Sequence, residues 1–228
     1  MRLSYPSGST LPNVRFTFLL DVDNTLLDND AVKADLARRI EHLMGGAHAA
    51  SFWTVYEEVR RASDFVDFPR TLSQFRAHHP DAVGFPQVAD LVLGYPYAEM
   101  RYPGALETIQ YLRGLGQVVI VSDGDPVYQA AKIARASLAD AVDEVVLYAH
   151  KENHLDELRA RFPADRHVLV DDKPRILATA QHLLGDTART VFVRQGAYAV
   201  ADEQRYPPAD LMVERIADLM LLDATQFE

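Results

Sequence analysis

Five short apolar runs along the chain predict buried β-strands. They read VRFTFLL (14–20), QVVIVS (117–122), EVVLYA (144–149), HVLVD (167–171) and TVFV (190–193). None of them alternates cleanly between apolar and polar positions, which is typical of strands in a sheet that is covered on both faces.

Segments with apolar residues at helical spacing lie between the later runs. The sets are Leu106, Ile109, Leu112 and Leu115; Leu155, Leu158 and Phe162; and Ile176, Ala180, Leu183 and Leu184. Strands that alternate with such helices predict βαβ units around a parallel sheet. A last set, Val213, Ile216, Leu219 and Met220, predicts a helix that closes the fold.

The stretch from about residue 28 to residue 97 contains no convincing strand. Two amphipathic helices are expected there, one through Val32, Leu36, Ile40 and Leu43 and one through Phe52, Val55, Tyr56 and Val59, with shorter helices near 71–79 and 86–93. About seventy helical residues are too many for an ordinary crossover between strands. We therefore predict a tail at 1–13, an α/β core at 14–27 and 98–228, and an inserted all-helical cap at 28–97.

Polar side chains stand where the predicted strands end. They are Asp21 and Asp23 after the first strand, Ser122 at the second, Asp171 and Asp172 at the fourth, and Lys151 at the start of the helix before the fourth. Ligands of open parallel sheets bind outside the carboxyl ends of the strands, so these residues are expected to converge on one rim. Clustered carboxylates repel one another, and a divalent cation removes that conflict. Oxygen ligands without His or Cys favour Mg²⁺.

Composition narrows the range of functions. The net charge of −10 argues against binding to nucleic-acid phosphates or anionic membranes. The absence of cysteine excludes disulfides and thiolate chemistry. No apolar stretch approaches the ~20 residues of a membrane span, and residues 1–13 lack the apolar core of a signal peptide. We predict a cytoplasmic protein without nucleic-acid or membrane partners.

The order of these motifs resembles the haloacid dehalogenase-like (HAD) hydrolase superfamily. The motifs are DVDNTL, a strand that ends in Ser122, then Lys151, then a strand that ends in Asp171 and Asp172. An all-helical insertion directly after the first motif is similar to the C1 cap class of that superfamily. The resemblance covers about residues 16–195, and it implies a Rossmann-like core, a Mg²⁺ cofactor and a small phosphorylated substrate.

The resemblance also implies a role for each acid. Asp21 is the expected nucleophile, which forms an aspartyl-phosphate. Asp23 is expected to protonate the leaving oxygen and then to accept a proton from the hydrolytic water. Asp21, the backbone carbonyl of Asp23, and Asp172 are the expected Mg²⁺ ligands. Asp171 is expected to contact these ligands and to bind the metal only through them.

The remaining motif residues are expected to bind the substrate. Ser122 would hold a phosphoryl oxygen, and Lys151 would neutralise charge on Asp21 and on the transferring group. Backbone N–H groups near Asn24 and Gly124 would add donors.

The lysine of the third motif has two rivals. Lys132 lies in the helix after the second motif, and Lys173 lies beside the fourth. The sequence around Lys151, AHKENH, lacks the proline that often follows this lysine in capped members. Asp125 and Pro126 indicate a helix N-cap followed by proline at the first helical position, and no chemical role is assigned to Asp125.

The hypothesis from the sequence is a Mg²⁺-dependent phosphatase of small phosphate monoesters. A phosphomutase would share every motif. A haloacid dehalogenase would attack carbon with its aspartate and would need neither Mg²⁺ nor Asp23. A phosphate-binding or regulatory module without turnover is a further alternative, although receiver domains carry their motifs in a different order. Neither the substrate nor the oligomeric state is predicted.

Overall fold

Six parallel strands form one sheet at the centre of the part of the chain that the structure describes. The structure is a computed structural model that describes residues 14–63, 65–202 and 205–228, so the predicted tail at 1–13 lies outside it. The strands are β1 (Val14–Leu20), β2 (Gln117–Asp123), β3 (Glu144–Tyr148), β4 (Ala164–Asp171), β5 (Ala188–Val193) and β6 (Leu211–Val213). Their spatial order is β3-β2-β1-β4-β5-β6, which places β1 between β2 and β4.

Helices connect these strands and cover both faces of the sheet. The α-helices are α1 (Asn29–Ser63), α2 (Phe68–His78), α3 (Phe85–Leu93), α4 (Ala105–Arg113), α5 (Pro126–Arg135), α6 (Leu155–Arg161), α7 (Pro174–Leu184) and α8 (Gly196–Asp202). The predicted α/β, Rossmann-like class is thereby confirmed. No helix in the described ranges is long and apolar enough to cross a membrane.

Residues on alternate positions of the inner strands pack into two separate apolar layers. Phe18 and Leu20 of β1 join the larger layer, whereas Leu19 between them joins the smaller one on the opposite face. Val118 and Val119 of β2 divide in the same way. Burying one such side chain contributes about 1.5–3 kcal/mol to the stability of the fold, so apolar residues are favoured at every position of a strand that is covered on both faces. This is why the runs do not alternate.

The segment between β1 and α4 is helical. The described residues between 28 and 97 contain α1, α2 and α3 and no strand. Helix α1 is bent at Gly45, whose φ of 78° and ψ of 158° are not helical. The bend separates the two predicted amphipathic helices, and both bury their apolar faces.

The chain enters and leaves this insertion at one place. Leu27 forms an isolated antiparallel bridge with Arg101, and the N–H of Asp28 donates to the carbonyl of Met100 at 2.8 Å. The two connections between core and insertion therefore lie side by side.

The end of the chain differs from the prediction. Instead of one closing α-helix, Val213 belongs to β6, which pairs with β5, and a short 3₁₀-helix follows at Ile216–Leu221. Ile216 and Leu219 are buried three residues apart, a spacing that suits a 3₁₀-helix as well as an α-helix. The apolar spacing in the sequence did not distinguish these possibilities.

Candidate active site

Four neighbouring strands bring the motif residues to one edge of the sheet. Asp21 directly follows β1, and its N–H donates to the backbone of β4 at 2.9 Å. Ser122 lies near the end of β2, and Asp171 is the last residue of β4. Lys151 begins the 3₁₀-helix after β3. Carboxylate oxygens of Asp21, Asp171 and Asp172 lie within 4.8 Å of one another.

A buried lysine joins two of these acids. The ammonium of Lys151 bonds Oδ1 of Asp21 and lies 2.6 Å from Oδ2 of Asp171. The backbone N–H of Lys151 donates to the carboxylate of Asp123 at 2.7 Å, which fixes the start of its helix. Among the three candidate lysines, Lys151 is the one that contacts Asp21 directly. Its rival Lys132 contacts Asp23 instead.

The two acids after β4 have different surroundings. Both oxygens of Asp171 have donors, one from Lys151 and one from the N–H of Lys173 at 2.8 Å. Both oxygens of Asp172 are buried and have no hydrogen-bond partner in the part of the chain that the structure describes, and the same holds for Oδ2 of Asp21. Such orphaned carboxylate oxygens are costly to bury unless they bind a cation.

Burial and the neighbouring charges together shift the pKa values of these groups. Burial raises the pKa of Asp172 to about 9, and the charges of Asp171 and Asp21 add to the effect. Burial also raises the pKa of Asp21 to about 6, although Lys151 opposes the shift. Burial by itself lowers the pKa of Lys151, but Asp171 and Asp21 outweigh it, and the pKa ends above its ordinary value. The two carboxylates therefore favour the charged form of Lys151.

Asp23 is held by one face of helix α5. Nζ of Lys132 bonds its Oδ1, and Nε2 of Gln129 lies 3.3 Å from its Oδ2. Gln129 also donates to Oγ of Ser122 at 2.9 Å, and Lys132 donates to Oδ1 of Asn29 at 3.0 Å. Burial alone would raise the pKa of Asp23. The charge and the hydrogen bond of Lys132 lower it by more, so the pKa lies below its ordinary value.

A cavity of about 300 Å³ opens between this rim and the helical insertion. Its core side includes Asp23, Asn24, Asp123, Gly124, Gln129, Lys132, Asp172 and Lys173, and its insertion side includes Val32, Lys33, Arg60, Phe65, Val66 and Phe68. Apolar and aromatic walls with a few converging polar groups are typical of small-molecule sites. Lys33 lines this cavity from the insertion side, and it has no ion-pair partner among the described residues.

Residues 17–193, most of the chain, match the sequence model of the haloacid dehalogenase-like hydrolases. The chain belongs to this HAD-like hydrolase family. It is accordingly an enzyme.

Solved structures agree with this assignment. A protein of Burkholderia xenovorans, whose description as a haloacid dehalogenase-like hydrolase is itself provisional, is 40% identical with a TM-score of 0.86, and the match covers 94% of this chain and 99% of that one. The L-2-haloacid dehalogenase of Xanthobacter autotrophicus is 18% identical with a TM-score of 0.61, over 92% of this chain and 98% of its own. The magnesium-bound HAD-hydrolase YfnB of Bacillus subtilis is 14% identical with a TM-score of 0.58, over 91% and 97%. At such low identity, the last two show a shared fold alone. No curated protein matches the chain significantly.

The backbone N–H groups of Asn24 and Gly124 themselves bond to other backbone groups of this HAD-like hydrolase. The N–H of Asn24 donates to the carbonyl of Leu27 at 2.7 Å, and that of Gly124 donates to the carbonyl of Tyr148 at 3.0 Å. Both residues line the cavity, but neither backbone N–H is free for a phosphoryl oxygen. Asn24 has another task, because its side-chain oxygen accepts from the N–H of Asn29 at 3.1 Å at the start of α1.

Two residues that contact the motif acids were not assigned from the sequence. Lys132 entered only as a rival of Lys151, and Gln129 did not enter at all. Their spacing of three places them on one face of α5, whose first turn is capped by Asp125 as predicted, with its carboxylate accepting from Tyr128 at 2.7 Å. Helical spacing behind the second motif was the available signal.

Proposed function

We propose that this HAD-like hydrolase is a Mg²⁺-dependent phosphatase that acts on a small phosphate monoester through Asp21. The observation that carries the proposal is that the acids of the rim differ in their hydrogen-bond partners. Asp21 and Asp172 have buried carboxylate oxygens without a hydrogen-bond partner among the described residues, whereas Asp23, two residues from Asp21, is paired with Lys132 and lines the cavity together with Asp172. A phosphoryl-transfer site needs both a cation site and a separate proton donor.

The donor set fits the metal. Unpaired oxygens of Asp21 and Asp172, with no nitrogen or sulfur among the clustered groups, suit a hard cation such as Mg²⁺. When bound, Mg²⁺ would supply positive charge that offsets the clustered carboxylates and the phosphoryl oxygens. Asp171 is committed to Lys151 and Lys173, which supports a positioning task for it.

The first half of the reaction would transfer the phosphoryl group to the protein. A carboxylate oxygen of Asp21 attacks phosphorus, the ester P–O bond breaks, and the leaving oxygen takes a proton from the protonated form of Asp23, which is the minor form because Lys132 lowers the pKa of this carboxyl. Lys151 balances the charge of Asp21. Oγ of Ser122 already accepts a hydrogen bond from Gln129, so its own hydrogen is directed to another acceptor, such as a phosphoryl oxygen.

The second half would release phosphate. Asp23, now a carboxylate, accepts a proton from water as the water oxygen attacks phosphorus. The bond between phosphorus and Asp21 then breaks, and inorganic phosphate leaves. Lys132 and Gln129 donate to Asp23 and stabilise its carboxylate form, which is the form that this half of the reaction needs.

A haloacid dehalogenase is the second candidate, since proteins described by that name share the fold. Its chemistry leaves Asp23 and the unpaired Asp172 without a use. A phosphomutase would use the same residues, but would return the phosphoryl group to an organic hydroxyl and not to water.

The test is hydrolysis of p-nitrophenyl phosphate with Mg²⁺ and with EDTA, by the wild type and by Asp21→Asn. We expect phosphate and nitrophenol in equal amounts, no turnover in EDTA, and a rate for Asp21→Asn below about a thousandth of the wild-type rate. Asp140→Asn, an exposed acid elsewhere in the chain, is the matched control.

Three outcomes would contradict the proposal. Equal turnover by Asp21→Asn and the wild type would remove the nucleophile. Chloride release from 2-chloropropionate without any phosphatase activity would favour the dehalogenase. Phosphoryl transfer between two positions of a sugar bisphosphate without release of phosphate would favour the mutase.

A further inference from the structure

The side chain of Lys132 is buried although it carries a charge. Only 5% of it is exposed, and its ammonium bonds one carboxylate, Asp23, and one amide oxygen, that of Asn29. The ring of Tyr97 lies 5.7 Å from Nζ and encloses it from another side. A buried lysine is kept only where its charge has a partner, so this contact with Asp23 is a built feature and not a chance surface pair.

Asp23 needs such a partner to face the cavity. Its carboxylate lies close to that of Asp21, which carries the same negative charge, and Asp172 lines the same cavity. Like charges repel, and the cation of Lys132 offsets the charge of Asp23. Lys132 on Oδ1 and Gln129 near Oδ2 hold the carboxylate from both of its oxygens.

We infer that Lys132 is a positioning residue, which orients the carboxylate of Asp23 toward the leaving oxygen of the substrate. This inference rests on the proposed phosphatase function, in which Asp23 exchanges protons. Both contacts to Asp23 come from one helix, because Gln129 and Lys132 share one face of α5, whose first turn is capped by Asp125. The bond from Lys132 to Asn29, the first residue of α1, ties the same ammonium to the insertion.

The role predicts a dependence on the leaving group. Proton donation matters most when the departing oxygen is strongly basic, as in an alkyl phosphate, and little for p-nitrophenolate. A misplaced Asp23 should therefore slow alkyl phosphates far more than aryl phosphates. A lysine that only bound the phosphoryl group would slow both equally and would raise KM.

The experiment compares Lys132→Met with the wild type on p-nitrophenyl phosphate and on an alkyl phosphate such as glycerol 3-phosphate. We expect kcat to fall about 100-fold or more on the alkyl ester and less than about 10-fold on the aryl ester, with KM nearly unchanged. Lys132→Arg should restore part of the alkyl activity. Arg135→Met, an exposed cation one turn further along α5, is the control that should leave both rates unchanged.

A double-mutant cycle decides whether Lys132 acts through Asp23. In an Asp23→Asn background, Lys132→Met should cause little further loss on the alkyl ester. Equal losses on both esters, or a full additional loss in that background, would overturn the positioning role while leaving the phosphatase function intact. If Lys132→Met fails to fold, the same comparisons apply to Lys132→Gln, checked by its melting temperature. A wild type that hydrolyses neither ester would overturn the phosphatase function and this role together.

Discussion

The ammonium of Lys151 lies 2.6 Å from the carboxylate of Asp171, and it bonds Asp21 on its other side. One buried cation thus holds the end of β4 against the residue that follows β1. A buried ion pair contributes little net stability over an apolar pair, but the loss of one partner leaves the other charges uncompensated.

Replacing this lysine should therefore destabilise the fold as well as the site. We expect Lys151→Met to lower the free energy of unfolding by about 3–5 kcal/mol in EDTA, measured by urea denaturation. Arg113→Met is the contrast, because Arg113 pairs with Asp143 at 2.9 Å on the surface and its loss should cost at most about 1 kcal/mol. Similar losses for both variants would contradict this account of Lys151.

Asp172 should cost stability when no cation is present. Its raised pKa, about 9 against an ordinary 3.8, means that the folded protein binds a proton more tightly than the unfolded chain, so stability falls as pH rises from about 4 toward 9. In EDTA at pH 8, Asp172→Asn should raise the melting temperature by at least a few degrees. It should also abolish the increase in melting temperature that Mg²⁺ gives the wild type.

The control for this comparison is Asp140→Asn, which changes an exposed acid. It should melt like the wild type with and without Mg²⁺. A lower melting temperature for Asp172→Asn in EDTA would show that the carboxylate of Asp172 stabilises the metal-free fold after all.

His167 in β4 should make stability depend on pH. Its side chain is buried, Nε2 lies 2.8 Å from the carbonyl of Phe162, and Nδ1 has no partner within the described ranges. Burial lowers its pKa below the usual 6.5, so below pH 6.5 the unfolded chain takes up a proton that the folded protein resists. Stability is then complete above pH 6.5 and falls as pH decreases.

The comparison is between the wild type and His167→Gln, which keeps a donor for Phe162. Between pH 6.5 and 5.5, the wild type should lose up to about 1.4 kcal/mol more than this variant in urea unfolding. An identical slope for wild type and His167→Gln would exclude His167 as its source.

Two glycines of the insertion separate backbone strain from steric clash. Gly45 and Gly84 both have positive φ, of 78° and 83°. A Cβ on Gly45 would meet nothing within 4 Å, whereas one on Gly84 would lie 2.2 Å from the carbonyl oxygen of Leu43. We expect Gly45→Ala to cost about 1–3 kcal/mol, because its φ and ψ lie in a region open essentially to glycine alone, and Gly84→Ala to cost more, because the backbone of α1 must move. Equal unfolding free energies for the two variants would contradict this distinction.

The sequence identified those parts of the fold that have a strong local pattern. Each apolar run became a strand, because both faces of the sheet reward burial, and the motif residues met at one rim because parallel strands share a direction. The three residues of β6 were missed, since their apolar character merged with the spacing of Ile216 and Leu219.

The site was harder to predict where contacts depend on three-dimensional packing. That Lys132 reaches Asp23 across more than a hundred residues follows from the placement of α5 over the rim, which no local pattern encodes. The engaged N–H of Gly124 depends likewise on the pairing of β2 with β3. The difference between Asp171 and Asp172 emerged only once their neighbours were in place.

The bridge between Leu27 and Arg101 has a consequence for how such enzymes diversify. Since the two ends of the insertion already touch, a helical segment of another length or shape could replace this one without rethreading the sheet or displacing Asp21. The insertion is thus a unit that could change while the sheet and the residues at its rim keep their places.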